Sequence, residues 1–341
     1  MEMLRCPQCA TEVASALLSC PSCHWLVHSA RLKTLAEEAE RAEHDHRVAD
    51  ALASWRQMLE LLPKGSRQFQ SILEKSKTVS QQLETVSANA EKVKRSQVPP
   101  ALAGLGMLGA LLWKLKFLLL ALLAKGKLLL LGLSKAGTLL SMVLSFGVYW
   151  AAWGWKFALG LMVSIYIHEI GHVAALQRYG IKATAPMFIP GFGAFVRLEQ
   201  PLLNPHEDAV VGLAGPLWGL MAAAAAFGAY RFFGWPNWAA IARAGGWITL
   251  FNLLPVWQLD GSRGFQALST RQRWMTVAAM GALWLATREG LLILLAIVAA
   301  YRAMERRVPA VSDPAIFMRY LMLLVAAAGL CCVPVPLPSR T

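Results

Sequence analysis

The spacing of apolar positions changes character along the chain. Residues 30–62 and 66–97 carry apolar side chains at helical intervals within otherwise polar stretches: Val48, Leu52, Trp55, Leu59 and Leu62 in the first, Phe69, Ile72, Val79, Leu83 and Val86 in the second. Pro63-Lys64-Gly65-Ser66 separates the two, so a soluble helical hairpin is predicted. Val98-Pro99-Pro100 closes that region, and from Ala101 apolar residues dominate. Runs at 128–149, 156–176, 209–230, 239–259 and 315–333 are predicted membrane spans, with 274–287 and 289–304 as a shorter hairpin. Residues 101–127 are Leu-rich but carry Lys114, Lys116, Lys125 and Lys127, the pattern of an amphipathic helix lying on a leaflet. Trp150–Trp155 reads as an aromatic, glycine-containing turn at the membrane interface. The expected fold class is mostly α: a polytopic α-helical membrane protein with a small cytosolic head.

Composition agrees with this division. The 341 residues are 56% hydrophobic and only 16% charged, with a net charge of +13; a soluble domain carries about 25% charged residues. Residues 1–99 hold 13 Lys/Arg against 12 Asp/Glu, whereas residues 100–341 hold 20 against 8. The basic excess thus sits between apolar runs, which excludes nucleic-acid binding as the reading. Arg178, Lys182 and Arg197, then Arg263, Arg271 and Arg273, then Arg302, Arg306 and Arg307 fall in alternate loops. The opposite side has only Lys156, Arg231, Arg243 and Arg288 nearby. The basic side is expected to be cytoplasmic and to carry the head, in what is expected to be a bacterial inner membrane. Met1-Glu2-Met3-Leu4-Arg5-Cys6 lacks the apolar core of a secretory signal, so no cleaved signal peptide is expected.

Within the head, Cys6-Pro7-Gln8-Cys9 and Cys20-Pro21-Ser22-Cys23 form two C-x-x-C knuckles ten residues apart. Two such turns facing each other place four thiolates around one ion, so residues 1–29 are predicted to be a zinc ribbon with structural zinc on Cys6, Cys9, Cys20 and Cys23. His24 and His28 are close by but are not needed. A disulfide pair is the alternative, disfavoured in a reducing compartment. Residues 30–97 are then the helical hairpin, a spacer or a platform for a cytosolic protein partner.

Beyond residue 100 there are three histidines and eight acidic residues. Ionisable side chains at membrane depth are expensive, so those that occur are candidates for function. His168-Glu169-Ile170-Gly171-His172 is H-E-x-x-H in an apolar helix. Its i, i+4 histidines share one face and can hold zinc, with Glu169 between them to act on water. Two imidazoles leave the ion short of a protein ligand. Asp260, in Asn252-Leu253-Leu254-Pro255-Val256-Trp257-Gln258-Leu259-Asp260-Gly261, can complete a His₂Asp set, and Pro255 breaks the helix before it. The bland alternative for Asp260 is a loop carboxylate beside Arg263. His206 is a rival ligand, read as a solvated side chain in a Pro-containing loop. Cys331 and Cys332, at the end of the last span, read as small apolar residues.

His168–His172 followed by Asn252-x-x-Pro255-x-x-x-x-Asp260-Gly261 resembles the site-2 protease family of intramembrane zinc metalloproteases. Gly212-Leu213-Ala214-Gly215-Pro216 matches the family's Gly-Pro element. The resemblance covers about 148–265, flanked by an amphipathic and first membrane segment at 101–147 and further transmembrane helices at 266–341. It implies one catalytic zinc held by His168, His172 and Asp260, Glu169 as catalytic base and Asn252 assisting substrate or oxyanion binding. The Asn often found soon after the Gly-Pro is absent, since Leu217-Trp218-Gly219 follows, and the loop from Tyr179 to Asp208 is too short for a PDZ domain. The stretch 186–197 has the aromatic alternation and glycines of a hairpin whose edge can pair with an unwound substrate, giving Phe192, Gly193 and Phe195 as substrate-binding candidates. The expected function is hydrolysis of peptide bonds in or near transmembrane segments of membrane proteins. A non-catalytic membrane adaptor or chaperone is the alternative, and zinc transport is disfavoured because only one ligand cluster occurs along the membrane.

Overall fold

The computed structural model describes residues 3–96, 136–181, 183–189, 193–195, 205–256, 259–305 and 313–336. The predicted amphipathic helix at 101–127, Phe192, Arg197, Arg306 and Arg307 lie outside the described residues. The chain divides into a head unit and a membrane unit.

The head opens with β1 (Met3–Arg5) paired antiparallel to β2 (Glu12–Ala14), with Leu4 opposite Val13. Each C-x-x-C turn closes on backbone bonds, Ala10 N–H to Cys6 O at 3.0 Å and His24 N–H to Cys20 O at 2.9 Å. Cys6 Sγ lies 3.5 Å from Cys23 Sγ, and Cys9 Sγ lies 3.6 Å from Cys20 Sγ. All four sulfurs fall within 4.8 Å of one another. These separations far exceed a disulfide bond of about 2.05 Å. They approach the edge of about 3.8 Å expected for a tetrahedron with metal–sulfur bonds near 2.3 Å. The Thr11 hydroxyl and backbone bonds to Cys9 pull its thiol down to about 6, favouring the thiolate that binds metal. The buried apolar cluster around these turns is Cys6, Val13, Cys20 and Val27, half of it cysteine, so a metal on the four thiolates would add to a small core.

Three helices follow where a hairpin was predicted: α1 (Ser29–His44), α2 (Val48–Glu60) and α3 (Arg67–Ser96). The predicted helix 30–62 breaks because His46 adopts φ +57°. Its N–H bonds Glu43 O while Arg47 N–H bonds Ala42 O, a Schellman ending. Leu32, Leu35, Ala39 and Ala42 of α1 are buried, as are Ala51, Leu52, Trp55 and Met58 of α2. Lys75 of α3 sits 4.0 Å over the Trp55 ring.

The membrane unit comprises α4 (Ala136–Trp153), α5 (Trp155–Arg178), a β3 (Met187–Ile189)–β4 (Gly193–Phe195) hairpin, α6 (Pro205–Phe233), α7 (Pro236–Asn252), α8 (Asp260–Gln266), α9 (Thr270–Thr287), α10 (Gly290–Ala303) and α11 (Pro314–Cys331). Among the described residues α4, α5, α6 and α11 are long and apolar enough to cross a membrane. The predicted turn at Trp150–Trp155 narrows to Gly154, at φ +83°, between α4 and α5. The predicted span 239–259 is corrected: α7 stops at Asn252, three residues before Pro255, and Asp260 opens a separate short helix. Helix α6 packs against α7, α8 and α11, and α7 packs also against α11. Close packing rests on small residues, as where Gly245 meets Ala223. The hairpin docks on α4 and α5, where Phe188 N–H donates to Ser141 Oγ at 3.2 Å and the Phe188 ring stacks on Tyr166.

Candidate metal centre

Helix α5 carries His168 and His172 one turn apart, and both are buried with Glu169 between them. Helix α6 runs back past this turn, and α8 brings Asp260 to it. His168 Nε2 lies 3.0 Å from Asp260 Oδ2, His172 Nε2 lies 3.3 Å from Asp260 Oδ1, and the two Nε2 atoms are 3.3 Å apart. The two imidazole nitrogens and the two oxygens of one carboxylate thus face one another at 3.0–3.3 Å, close to the edge of about 3.3 Å that ligand bonds of 2.0–2.1 Å require in a tetrahedral site. The donor chemistry, two imidazole nitrogens and a carboxylate, is that of a zinc site with a further position open to water or substrate. Glu169, only 4% exposed, lies close enough to both imidazoles and to Asp260 to interact electrostatically with all three.

The surroundings orient these donors. His172 Nδ1 is 2.9 Å from the Val211 carbonyl of α6, a group that only accepts. Nδ1 therefore carries the proton and Nε2 turns its lone pair to the centre. Gly215 forms the wall in front of both rings. A Cβ there would overlap Nε2 of His172 and come within 2.6 Å of Nε2 of His168. Gly219, one turn on, faces the other edge of His168, its Cβ position 3.0 Å from Nδ1.

Asp260 is held from two sides. Arg263 donates from Nε to Asp208 Oδ1 at 2.6 Å, tying α8 to the first turn of α6. Arg263 thus pairs with Asp208 and leaves Asp260 to the histidines, against the loop-carboxylate alternative. Behind Asp260, Gly261 packs so closely on the Leu253 backbone that a Cβ would overlap its carbonyl. The buried Tyr320 hydroxyl of α11 donates to that same carbonyl. The bend from α7 to α8 is therefore clamped between Gly261 and Tyr320. Tyr320→Phe removes the donor and leaves a buried carbonyl unsatisfied. The expected result is metal bound about tenfold more weakly at this centre, with the four-cysteine site unaltered, read by chelator competition. Unchanged affinity would show that the bend holds without the hydroxyl.

The other candidates fall as follows. Asn252 ends α7, half-buried, and its side chain makes no hydrogen bond among the described residues. Gly193, at φ +98°, begins β4 opposite Ile189, and Phe195 lies in register with Met187. His206 is corrected from a solvated loop residue to a member of α6 whose ring contacts Asp313, the N-cap of α11. Burial works against the Asp313 charge, yet His206 and the Ile316 and Ala315 N–H groups hold this carboxyl below its ordinary range. Gly219, Tyr320 and the Val211 carbonyl were not singled out in the sequence. A glycine one turn beyond Gly215 on the same face is the one signal that pointed to any of them.

Residues 156–236 match the model of peptidase family M50. The match takes in the H-E-x-x-H helix and the Gly-Pro element of α6 and ends before Asp260. A zinc metalloprotease of Methanocaldococcus jannaschii, MJ0392, is 25% identical to this chain over 135 residues, 38% of each protein. The chain thus matches well under half the length of that relative. No solved structure matches.

Proposed function

We propose that this chain is an intramembrane zinc metalloprotease of the site-2 protease type, hydrolysing peptide bonds in or near transmembrane segments of its substrates. The observation that carries the reading is the His168–His172–Asp260 donor triangle with Glu169 buried beside it. The match to peptidase family M50 over the same helix and the similarity to a zinc metalloprotease support it. The four long apolar helices support an integral membrane location, and the basic loops support a cytoplasmic head.

His168, His172 and Asp260 hold the catalytic zinc in this reading, and Cys6, Cys9, Cys20 and Cys23 a second, structural one. Zinc so held supplies Lewis acidity that polarises a scissile carbonyl and makes water a competent nucleophile near neutral pH. Glu169 accepts the proton of the attacking water and delivers it to the leaving amine. Asn252, at the end of α7, donates from its amide to the oxygen that gains charge in this reading. A helical substrate keeps its carbonyls in i to i−4 hydrogen bonds, so it must unwind before attack. Gly193 and Phe195 of β4, with Phe192 before them in the sequence, receive the unwound strand by edge pairing in this reading. Domain roles follow: residues 1–29 a ribbon, 30–97 a helical segment open to a cytosolic partner, 148–265 the catalytic core and 266–341 supporting helices.

The test is metal content of purified full-length chain. Wild type is expected to hold about two zinc ions, falling to about one both in Cys9→Ser/Cys20→Ser and in His168→Ala/Asp260→Ala. A wild type with a single ion, lost only with the cysteines, would mean that the membrane cluster binds no zinc and would overturn the protease reading.

A further inference from the structure

Helix α5 runs from the Gly154 turn to the metal centre, α6 runs back from it to Gly234, and α7 returns to Asn252. The turns at Gly154 and Gly234 therefore share the end of the unit opposite the centre. Their exposed Trp153, Trp155, Phe232, Phe233 and Trp235 are the aromatic belt expected at a membrane surface. Just inside that belt is a cavity of about 560 Å³ walled by Trp153, Phe157, Leu161 and Trp247, and also lined by Arg243 and Glu289.

The two charges are unusual. Arg243 lies seven residues into α7, about 10 Å along the axis from Pro236. The sequence placed it near a loop; it stands instead on an apolar helix, exposed, with no ion-pair partner among the described residues. Glu289, the N-cap residue of α10, reaches the same cavity from another element, and its carboxylate likewise has no ion-pair partner among them. A cation and an anion lining one largely apolar cavity suit a ligand that carries the two opposite charges.

We propose that this cavity binds a membrane phospholipid whose headgroup carries both a phosphate and a primary ammonium. The phosphate pairs with the Arg243 guanidinium, the ammonium with Glu289, and the acyl chains descend along Phe157, Leu161 and Trp247. A headgroup with both charges satisfies both side chains at once; a purely anionic one leaves Glu289 facing negative charge. A transmembrane substrate helix fits less well. Its apolar side chains offer Arg243 and Glu289 no paired anion and cation, whereas the headgroup offers both. The inference is independent of the metal centre.

The test is native mass spectrometry of full-length protein, purified in detergent and exposed to phosphatidylethanolamine, phosphatidylglycerol or phosphatidylcholine. Wild type is expected to retain a single phosphatidylethanolamine in preference to the other two. Arg243→Gln is expected to lower that retention about tenfold. Glu289→Gln is expected to erase the preference over phosphatidylglycerol. Ala244→Trp fills the cavity with both charges in place and is expected to abolish retention, which keeps the test decisive should Arg243→Gln fail to fold. Equal retention in Arg243→Gln or Ala244→Trp and wild type, or equal retention of all three lipids by wild type, would overturn the proposal. So would a transmembrane peptide cross-linked from position 247 that added phosphatidylethanolamine does not displace.

Discussion

Glu169→Gln is expected to lower peptide-bond cleavage about 10²–10⁴-fold while the zinc content of the membrane centre stays at its wild-type level. The amide is nearly isosteric with the carboxylate, so the packing of α5 around this buried position is kept. What it loses is the ability to accept a proton from water and to pass one to the departing amine. His168, His172 and Asp260, whose donor atoms stand 3.0–3.3 Å apart, are untouched. Cleavage of a reconstituted transmembrane substrate, measured beside metal content, separates the chemistry from the scaffold. It also separates the two readings of the molecule. An adaptor that merely holds metal needs the ligands and has no use for the base, so an adaptor function would survive this substitution. Wild-type cleavage by the variant would remove Glu169 from the mechanism.

Gly215→Ala is expected to have an equally large effect by a different route, emptying the membrane centre. The added methyl would overlap Nε2 of His172 and crowd Nε2 of His168. Neither ring can swing away freely. His172 is tied to the Val211 carbonyl, and the far edge of His168 faces Gly219. The backbone of α6 cannot retreat either, because Gly212, one turn earlier, already packs against Arg263 and the Asp260 carbonyl. Metal analysis is expected to show about one zinc per chain, the four-cysteine site alone, with cleavage abolished. A variant that kept both ions would mean that the helices part more easily than their packing indicates. A wild-type melting profile beside the lost zinc would place the damage at the centre and not in the fold.

The features legible in the sequence are those set by short spacings. Cys6-x-x-Cys9 and Cys20-x-x-Cys23 each close within one turn, and the structure gathers all four sulfurs. His168 and His172 share a helix face because four residues make about one turn. The helices α5, α6 and α11 follow from long, predominantly apolar runs, since a helix satisfies its own backbone wherever water is absent. The same local view missed the break at His46, where a left-handed residue ends α1 without glycine or proline to announce it. It also carried one span through Asn252, although Pro255 stood in the reading as a helix breaker.

Local spacing cannot say which faces meet across the membrane, and that was left to the tertiary structure. Asp260 joins histidines some ninety residues earlier because α8 folds back onto α6, with Arg263 reaching Asp208 to hold it there. Tyr320 reads in sequence as one more residue of an apolar span; only the packing of α11 aims its hydroxyl at the Leu253 carbonyl. Gly219 looks like an ordinary small residue, and the Gly215-Pro216 element does not reveal what it faces, until α5 lies against them. Arg243 and Glu289, 46 residues apart in sequence, meet at one cavity for the same reason. The ligand types and the spans are written in periods of three to four residues. The shape of the centre depends on how closely one helix can approach another, and that is decided by side chains far apart in the chain.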